Sequence, residues 1–317
     1  MASQVDNRYF GIEHEPTKML LPIEGCGQIP LVPLKTAIEP VVSVVSKIKA
    51  YAWVAKFNCQ NPQEGLTSDE SAAIMLYSME SSGETVYGIL NSILRSEEPE
   101  RSNRLIPWHS YLKLFITALS RLPSHQLTVY RGVKLNLSER YPKGKHFVWW
   151  AFSSCTKSLN VLESSQFLGQ TGTRTLFVIE CFTGKCIRNH SYFPTEDEVL
   201  LIAARHFEVM SSLQQGSDLW IIHVKEIQPE FPHLVTDDSI SSNFEALKNS
   251  DAKASEAAIY LIIKTLISKS RIEYRLEFTI KFLLNISKIN QNLRDKILHL
   301  LINGICLLSK DLTEEIK

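Results

Sequence analysis

Tyr192-Phe-Pro-Thr-Glu-Asp-Glu-Val-Leu-Leu201 is the stretch that decides the fold, because three acidic residues stand directly before an apolar run typical of a buried strand. If the strand includes the acidic residues, Glu196 and Glu198 lie on the same face, since side chains alternate along a strand. Two carboxylates on one face can act on a substrate and on a cofactor. A solvated acidic turn is the alternative interpretation of this stretch taken alone.

A cluster of hydroxyl residues lies upstream, after another strand-like run. Phe152-Ser-Ser-Cys-Thr156 follows residues 147–150, and its hydroxyls can orient a carboxylate or a ribose through hydrogen bonds. The alternative is a Ser/Thr turn that caps the following helix. No adjacent general base marks these serines as nucleophiles, so the sequence does not predict a serine hydrolase.

A single arginine ends a third strand-like run, Leu127-Thr-Val-Tyr-Arg-Gly-Val133. The planar, permanently charged guanidinium of Arg131 is suited to phosphate recognition through paired hydrogen bonds. Gly132 has no side chain, which lets a ligand approach the backbone closely. Taken alone, this motif is also typical of a surface arginine at a turn.

The ordered combination of these three motifs resembles the arginine-specific, toxin-like branch of the ADP-ribosyltransferases, whose pattern is R-S-ExE. The resemblance covers roughly residues 68 to 226. It implies an α+β fold in which a helical subdomain packs on two antiparallel β-sheets, with NAD in the cleft between them. It also implies transfer of ADP-ribose from NAD to protein arginine, with release of nicotinamide.

The resemblance further implies a role for each matching residue. Arg131 holds the NAD phosphates and the nicotinamide ribose, and Gly132 meets the nicotinamide carboxamide through its backbone. Ser154 orients Glu198, which hydrogen-bonds the ribose 2′-hydroxyl and stabilises the oxocarbenium-like state as nicotinamide leaves. Glu196 receives the acceptor guanidinium and helps to remove its proton.

Aromatic residues near the motifs are candidates for substrate contacts. Phe167 is expected to stack on nicotinamide, and a core residue on a helix face is the alternative. Tyr192 and Phe193 form an acceptor-facing loop in one interpretation and are buried in the other. Cys155 stands where a threonine is commoner in the pattern, on the side of the strand that alternates away from the ligand.

Two other functions stay open from the sequence alone. An NAD glycohydrolase uses the same residues with water in place of arginine, whereas a catalytically silent binding module keeps only the fold. The presence of the complete motif set favours an enzyme. No metal is expected, because Cys181 and Cys186 are the only close pair of cysteines and no His or Cys follows at zinc-ligand spacing.

The composition argues against several kinds of partner. Lys and Arg number 34 and Asp and Glu number 34, so the zero net charge argues against broad binding to nucleic acid or anionic lipid. The start lacks the features of a secretory signal, and no apolar run reaches the roughly 18 residues of a membrane helix. We therefore expect a cytoplasmic protein without nucleic-acid or membrane partners, although secretion by another route is compatible with the sequence. The oligomeric state stays open.

The order of patterns, helices first and strands afterwards, predicts an α+β arrangement. A catalytic domain is expected at 1–232, with its helical part at about 65–122 and its β-rich part at about 123–230, then a linker at 233–250 and a helical tail at 251–317. The tail is an all-α segment and belongs either to a small bundle or to a larger helical domain. The predicted helices are 41–56 (or a strand pair), 71–79, 85–94, 109–122 and a short one at 160–168, and the predicted strands are 128–133, 145–152, 173–182, 199–203, 207–213 and 219–227.

Overall fold

The helical half of the chain precedes the β-rich half, as the order of sequence patterns predicts. The computed structural model describes residues 11–229 except 21, 24, 27–28, 81–83, 98 and 165–166, and it also describes Leu234. These residues belong to one unit, Met1–Asp237. Apart from Leu234, the predicted linker at 233–250 and the predicted helical tail at 251–317 lie outside the described residues. The proposed domain boundaries therefore stay predictions.

The helical half is built on a helix whose start the sequence predicts. The described α-helices are α1 (Leu34–Ala37), α2 (Ile48–Asn58), α3 (Ser68–Ser78), α4 (Val86–Arg95), α5 (Glu100–Leu105), α6 (His109–Arg121) and α7 (Leu159–Glu163). At the start of α3, Thr67 and Glu70 form the predicted capping box: the Glu70 N–H donates to the Thr67 hydroxyl and the Thr67 N–H donates to the Glu70 carboxylate. Arg121 of α6 donates to the same carboxylate at 2.9 Å, which ties α6 to α3.

The β-rich half contains long antiparallel strands and one parallel pair. The described strands are β1 (Ser124–Val133), β2 (His146–Trp149), β3 (Ser153–Thr156), β4 (Arg174–Cys186), β5 (Glu198–Leu201), β6 (Arg205–Gln215) and β7 (Leu219–Glu226). Their order is β1-β3-β5-β4-β7-β6-β2, with a further pairing of β1 to β4. Only the β4–β7 pair is parallel among these strands. The predicted α+β fold, with helices packed on antiparallel sheets, is confirmed.

The seven strands form one continuous sheet, in which the long strand β4 joins the parts that the sequence analysis predicted as two sheets. β1 pairs along β4 from Thr175 to Lys185, β7 pairs with the first part of β4, and the last residues of β4, Lys185 and Cys186, also pair with β5. Since β5 also pairs with β3, and β3 with β1, each of the four strands β1, β3, β5 and β4 pairs with two others of the four. The three strand-like motifs of the sequence therefore lie on adjacent strands.

The predicted strand at 145–152 is present as β2 but ends at Trp149, and Trp150, Ala151 and Phe152 separate it from β3. The backbone N–H of Trp150 donates to the Glu15 carboxylate at 2.7 Å. The Asn91 side chain accepts from the Phe152 N–H at 3.2 Å and donates to the Phe152 carbonyl at 3.3 Å. Side chains of the helical half thus take the hydrogen bonds that a neighbouring strand would otherwise make.

Packing of the helical half fixes the start of β3. Tyr77 of α3 stacks on Phe115 of α6 with ring centroids 4.8 Å apart, and Phe152 packs against both rings. All three side chains are buried in one hydrophobic cluster. A second cluster lies on the sheet and includes Trp149 and Phe177. Phe152 precedes Ser153 directly, so the aromatic cluster holds the hydroxyl motif in place from one side.

Within the described residues, no helix has the length and apolar composition needed to span a membrane.

Candidate active site

Glu198 begins β5 and is fully buried. The antiparallel β3–β5 pair sets Thr156 opposite Glu198 and Ser154 opposite Leu200. Residues directly opposite each other share a face, and alternate residues of one strand share it too. Ser154, Thr156 and Glu198 therefore lie on one face, with Ser154 diagonal to Glu198 at a separation that side chains of this length can bridge.

Arg131 reaches this pair of strands from β1. The strands β1 and β3 pair at Tyr130↔Thr156, and Arg131 Nη1 donates to the backbone carbonyl of Ser154 at 2.7 Å. The side chain is fully buried, and burial lowers the pKa of the guanidinium. Arg131 thus contacts β3 through the Ser154 backbone rather than through its hydroxyl. An arginine in such surroundings keeps its charge, because the ordinary pKa of a guanidinium lies far above neutral pH.

The Ser154 hydroxyl is the feature that fits a ligand. Its Oγ is buried and, among the residues that the structure describes, has no hydrogen-bond partner. A buried polar atom without a protein partner is costly, so the Ser154 hydroxyl fits a site that receives a polar group. A ribose or an amide of NAD can fill this role, since each offers a donor to a hydroxyl oxygen and an acceptor to its proton.

Glu196 does not belong to β5, so the predicted sharing of one strand face by Glu196 and Glu198 is wrong. Glu196 ends a 3-10 turn, Pro194–Glu196, and Asp197 follows with φ 49° and ψ 46° in the left-handed region. This turn breaks the strand alternation, because the strand begins only at Glu198. Glu196 is partly exposed at the rim, whereas Glu198 is buried. The Thr156 hydroxyl donates to the Glu196 carbonyl at 3.1 Å and holds the turn to β3.

Asp197, which the sequence analysis left without a role, sets the geometry of this turn. Aspartate tolerates the left-handed region better than most residues, because its short side chain hydrogen-bonds locally. Its carboxylate lies 3.6 Å from Lys157 Nζ and 3.8 Å from Arg188 Nη1. Both basic side chains are partly exposed, so these ion pairs contribute little to stability. Pro194 and the short polar Asp197 are the local signals in the sequence for this turn, which was the alternative interpretation of the acidic stretch.

Gly132 is required by close packing. A Cβ at this position would stand 2.6 Å from the Leu168 Cβ and 3.1 Å from the Leu168 Cα. In this structure the close neighbour of Gly132 is therefore Leu168, at the backbone surface that the resemblance assigns to the nicotinamide carboxamide.

Phe167 lies beside the motif strand β1, beyond the end of α7 at Glu163. It is buried with Leu162 and Leu168 in a small cluster that packs against Tyr130 and Leu176. Phe167 is thus a core residue, as the alternative interpretation has it, but it lies in a turn beyond α7 and not on a helix face. Its stacking on nicotinamide stays a prediction.

The aromatic pair before the acidic turn forms a loop rather than a buried core. Tyr192 is 42% exposed, and its ring contacts Phe193 edge to face at 5.1 Å between centroids. The Tyr192 N–H donates to the Ser78 hydroxyl at 2.8 Å. Of the two interpretations of Tyr192, the exposed loop agrees with the structure.

Cys155 faces away from this site, as the strand alternation predicts. It pairs with Val199 and lies in the cluster on the sheet. Burial raises the pKa of its thiol, which makes it unreactive. Among the described residues, no group of three His, Cys, Asp or Glu side chains can hold a metal ion.

A family model described as NAD:arginine ADP-ribosyltransferase matches residues 38–230, which include every element of this site. The chain belongs to the NAD:arginine ADP-ribosyltransferase family. The family predicted from the three motifs is therefore confirmed. The matched range begins before α2 and ends after β7, and so covers both the helical half and the β-rich half.

A curated protein of Mycobacterium avium (strain 104), assigned the name NAD(+)–arginine ADP-ribosyltransferase Mav, is 29% identical to this chain over 152 residues. The match covers 47% of this chain and 17% of that protein, so the chain spans only a small part of its curated relative. Solved structures with a similar fold include ADP-ribosyltransferase Vis of Vibrio splendidus in complex with agmatine. It is 21% identical to this chain, the match covers 64% of this chain and 90% of that chain, and the TM-score is 0.42. The eukaryotic mono-ADP-ribosyltransferase ART2.2 matches at 21% identity, 63% of this chain, 87% of that chain and a TM-score of 0.46.

Proposed function

We propose that the protein transfers ADP-ribose from NAD to arginine side chains of proteins and releases nicotinamide. The observation that carries the proposal is the convergence of Arg131, Ser154 and Glu198 from the adjacent strands β1, β3 and β5. Family membership supports the same reaction. NAD is the co-substrate.

Glu198 supplies the negative charge that the reaction needs. Nicotinamide leaves as a neutral group from a cationic precursor, so the protein has to stabilise positive charge that develops on the ribose. A buried carboxylate is effective here, because charges interact more strongly where water is excluded. Ser154, diagonal to Glu198 on the same face, orients this carboxylate and the ribose with its buried hydroxyl.

Arg131 has two functions in this proposal. Its Nη1 donates to the Ser154 carbonyl and fixes the position of the hydroxyl motif relative to β1. The planar guanidinium also holds the phosphate side of NAD and the nicotinamide ribose, which requires a group with several donors in one plane. Phe167 and Gly132 border the nicotinamide end, where Leu168 now packs on Gly132.

Glu196 selects the acceptor. Its partly exposed position at the rim suits a group that meets an incoming protein side chain, in contrast to buried Glu198. A carboxylate pairs with a guanidinium through charge-assisted hydrogen bonds and can take its proton during attack on the ribose. The exposed Tyr192 belongs to the same loop and faces the acceptor in this proposal.

The test is incubation of the purified protein with NAD, with and without agmatine as a minimal arginine analogue. Mass spectrometry should detect ADP-ribosyl-agmatine and free nicotinamide in the wild type. Glu198→Gln keeps the shape but removes the charge, so both products should fall by a factor on the order of 10²–10³ while the circular dichroism spectrum is unchanged. Rapid NAD cleavage without any agmatine adduct would identify a glycohydrolase instead. No product of either kind would remove the enzymatic assignment.

We also propose a cytoplasmic location, no nucleic-acid or membrane partner, and a reaction that needs no metal ion.

A further inference from the structure

A buried histidine outside the R-S-ExE motif connects three parts of the chain. His190 is 0% exposed. Its Nδ1 lies 2.9 Å from the Ser71 Oγ of α3, and its Nε2 lies 2.9 Å from a carboxylate oxygen of Glu64. Glu64 and Ser71 belong to the helical half, whereas His190 precedes the loop that leads to the acidic turn.

This trio does not act as a nucleophilic relay. Ser71 is 1% exposed and is an interior residue of α3, so a substrate has no access to its hydroxyl. A buried histidine with hydrogen bonds on both ring nitrogens is instead well suited to hold two segments at a fixed distance.

A second hydrogen bond joins the same helix to the same loop. The Tyr192 N–H donates to the Ser78 hydroxyl at 2.8 Å, and the Ser78 hydroxyl in turn donates to the Met75 carbonyl at 2.9 Å. Ser71 and Ser78 are seven residues apart, which places them two turns apart on one face of α3. One helix face therefore holds the loop at two points, His190 and Tyr192.

The loop continues through local hydrogen bonds to the backbone of Glu196. The Phe193 N–H donates to the Ser191 hydroxyl at 3.1 Å, and the Glu196 N–H donates to the Phe193 carbonyl at 3.2 Å. A displacement at His190 or Tyr192 is thus transmitted to Glu196. Glu198 is held independently of this loop, because it belongs to β5, and β5 pairs with β3 on one side and with β4 on the other.

We propose that Ser71, Ser78 and His190 are positioning residues for the acceptor. They fix the position of the loop that carries Tyr192 and Glu196 relative to α3, whereas the strands position the NAD side of the site. The inference rests on the proposed transferase function. It predicts that loosening the loop weakens arginine binding and leaves cleavage of NAD unchanged.

The test compares Ser71→Ala, Ser78→Ala and the double variant with a matched control, Ser120→Ala. Ser120 of α6 makes the same kind of bond as Ser78, to the carbonyl three residues back at 2.8 Å, but it lies on the exposed face of its helix. Steady-state kinetics with agmatine gives kcat and KM for transfer, and nicotinamide release without agmatine gives the rate of NAD hydrolysis.

In the double variant we expect the KM for agmatine to rise about tenfold, the scale of one or two lost hydrogen bonds. NAD hydrolysis and the KM for NAD should stay within about twofold, and Ser120→Ala should match the wild type in every parameter. If the double variant does not fold, Ser78→Ala alone gives the comparison, because it removes a single hydroxyl.

Equal loss of transfer and hydrolysis in a folded variant would overturn the inference, since it would indicate a general structural effect. Unchanged kinetics in all serine variants of an active enzyme would also overturn it, and would leave the transferase assignment intact. A wild-type protein without agmatine transfer would overturn the proposed function, and the inference with it.

Discussion

Thr156 of β3 lies directly opposite Glu198 of β5, and its hydroxyl donates to the backbone carbonyl of Glu196 at 3.1 Å. One threonine therefore contacts both ends of the acidic turn. Thr156 and the left-handed conformation of Asp197 together determine how Glu196 and Glu198 are placed relative to each other. A continuous strand through both of them is absent.

Replacing Thr156 with valine should release the turn while keeping the strand. Valine preserves the branched shape but can neither donate to the Glu196 carbonyl nor accept from the Ser158 N–H, so we expect a loss of about 1–2 kcal/mol in the free energy of unfolding. Transfer to agmatine should fall more than NAD hydrolysis, because Glu196 moves and Glu198 does not. Denaturant titration and the two activity assays measure these effects. Thr128→Val, at an exposed position of β1, is the control and should change neither quantity.

Glu196→Gln should separate the two reactions. A neutral amide neither pairs strongly with a guanidinium nor removes its proton, so transfer to agmatine should drop by about 10²-fold. NAD hydrolysis should continue, since Glu198 and Arg131 are untouched and water is a sufficient acceptor. Nicotinamide release with and without agmatine distinguishes the two. A parallel loss of both activities would mean that Glu196 acts on NAD itself.

Asp197 should tolerate substitutions according to backbone conformation and not according to charge. Asparagine adopts the left-handed region readily, so Asp197→Asn should keep the melting temperature and the transfer rate. Valine adopts it at a cost of about 1–2 kcal/mol, so Asp197→Val should lower the melting temperature and the transfer rate together. Calorimetry and the agmatine assay provide the comparison. If Asp197→Asn were as damaged as Asp197→Val, the ion pairs with Lys157 and Arg188 would be the important feature.

Arg131→Lys should weaken both NAD binding and turnover. An ammonium is a point charge and cannot donate to the Ser154 carbonyl while presenting a planar set of donors to a phosphate. We expect NAD affinity to fall at least about tenfold by titration calorimetry. Arg174→Lys, at a partly exposed position of β4 where the guanidinium donates to the Gly172 carbonyl, is the matched control. Unchanged affinity and activity would remove Arg131 from the site.

Much of this arrangement could be predicted from the sequence because each motif stands at the boundary of a strand. Hydrophobic patterns locate the strands themselves, and Arg131, Ser154 and Glu198 are polar residues that lie at or near strand ends. The capping box likewise gives the start of α3 from four consecutive residues. Such features depend on local interactions, which a short window of sequence contains.

The remaining features depend on contacts between distant residues or on one dihedral angle. The break between β2 and β3 arises from Glu15 and Asn91, which are 135 and 61 residues away from the backbone groups that they bond. The left-handed Asp197 is compatible with the local sequence but is not required by it. The hydrogen bonds of His190 join segments 119 and 126 residues apart, so no local pattern could indicate them.

Asn91 binds the backbone of Phe152 with both ends of its amide, and Glu15 holds the N–H of Trp150 while pairing with Arg95 at 2.7 Å. These contacts make the connection between β2 and β3 a part of the helical half as much as of the sheet. Melting of α4 would leave the polar backbone of that connection buried without partners, and peeling of β3 would do the same to Asn91. We therefore expect the helical and β-rich halves to be thermodynamically coupled and to unfold together.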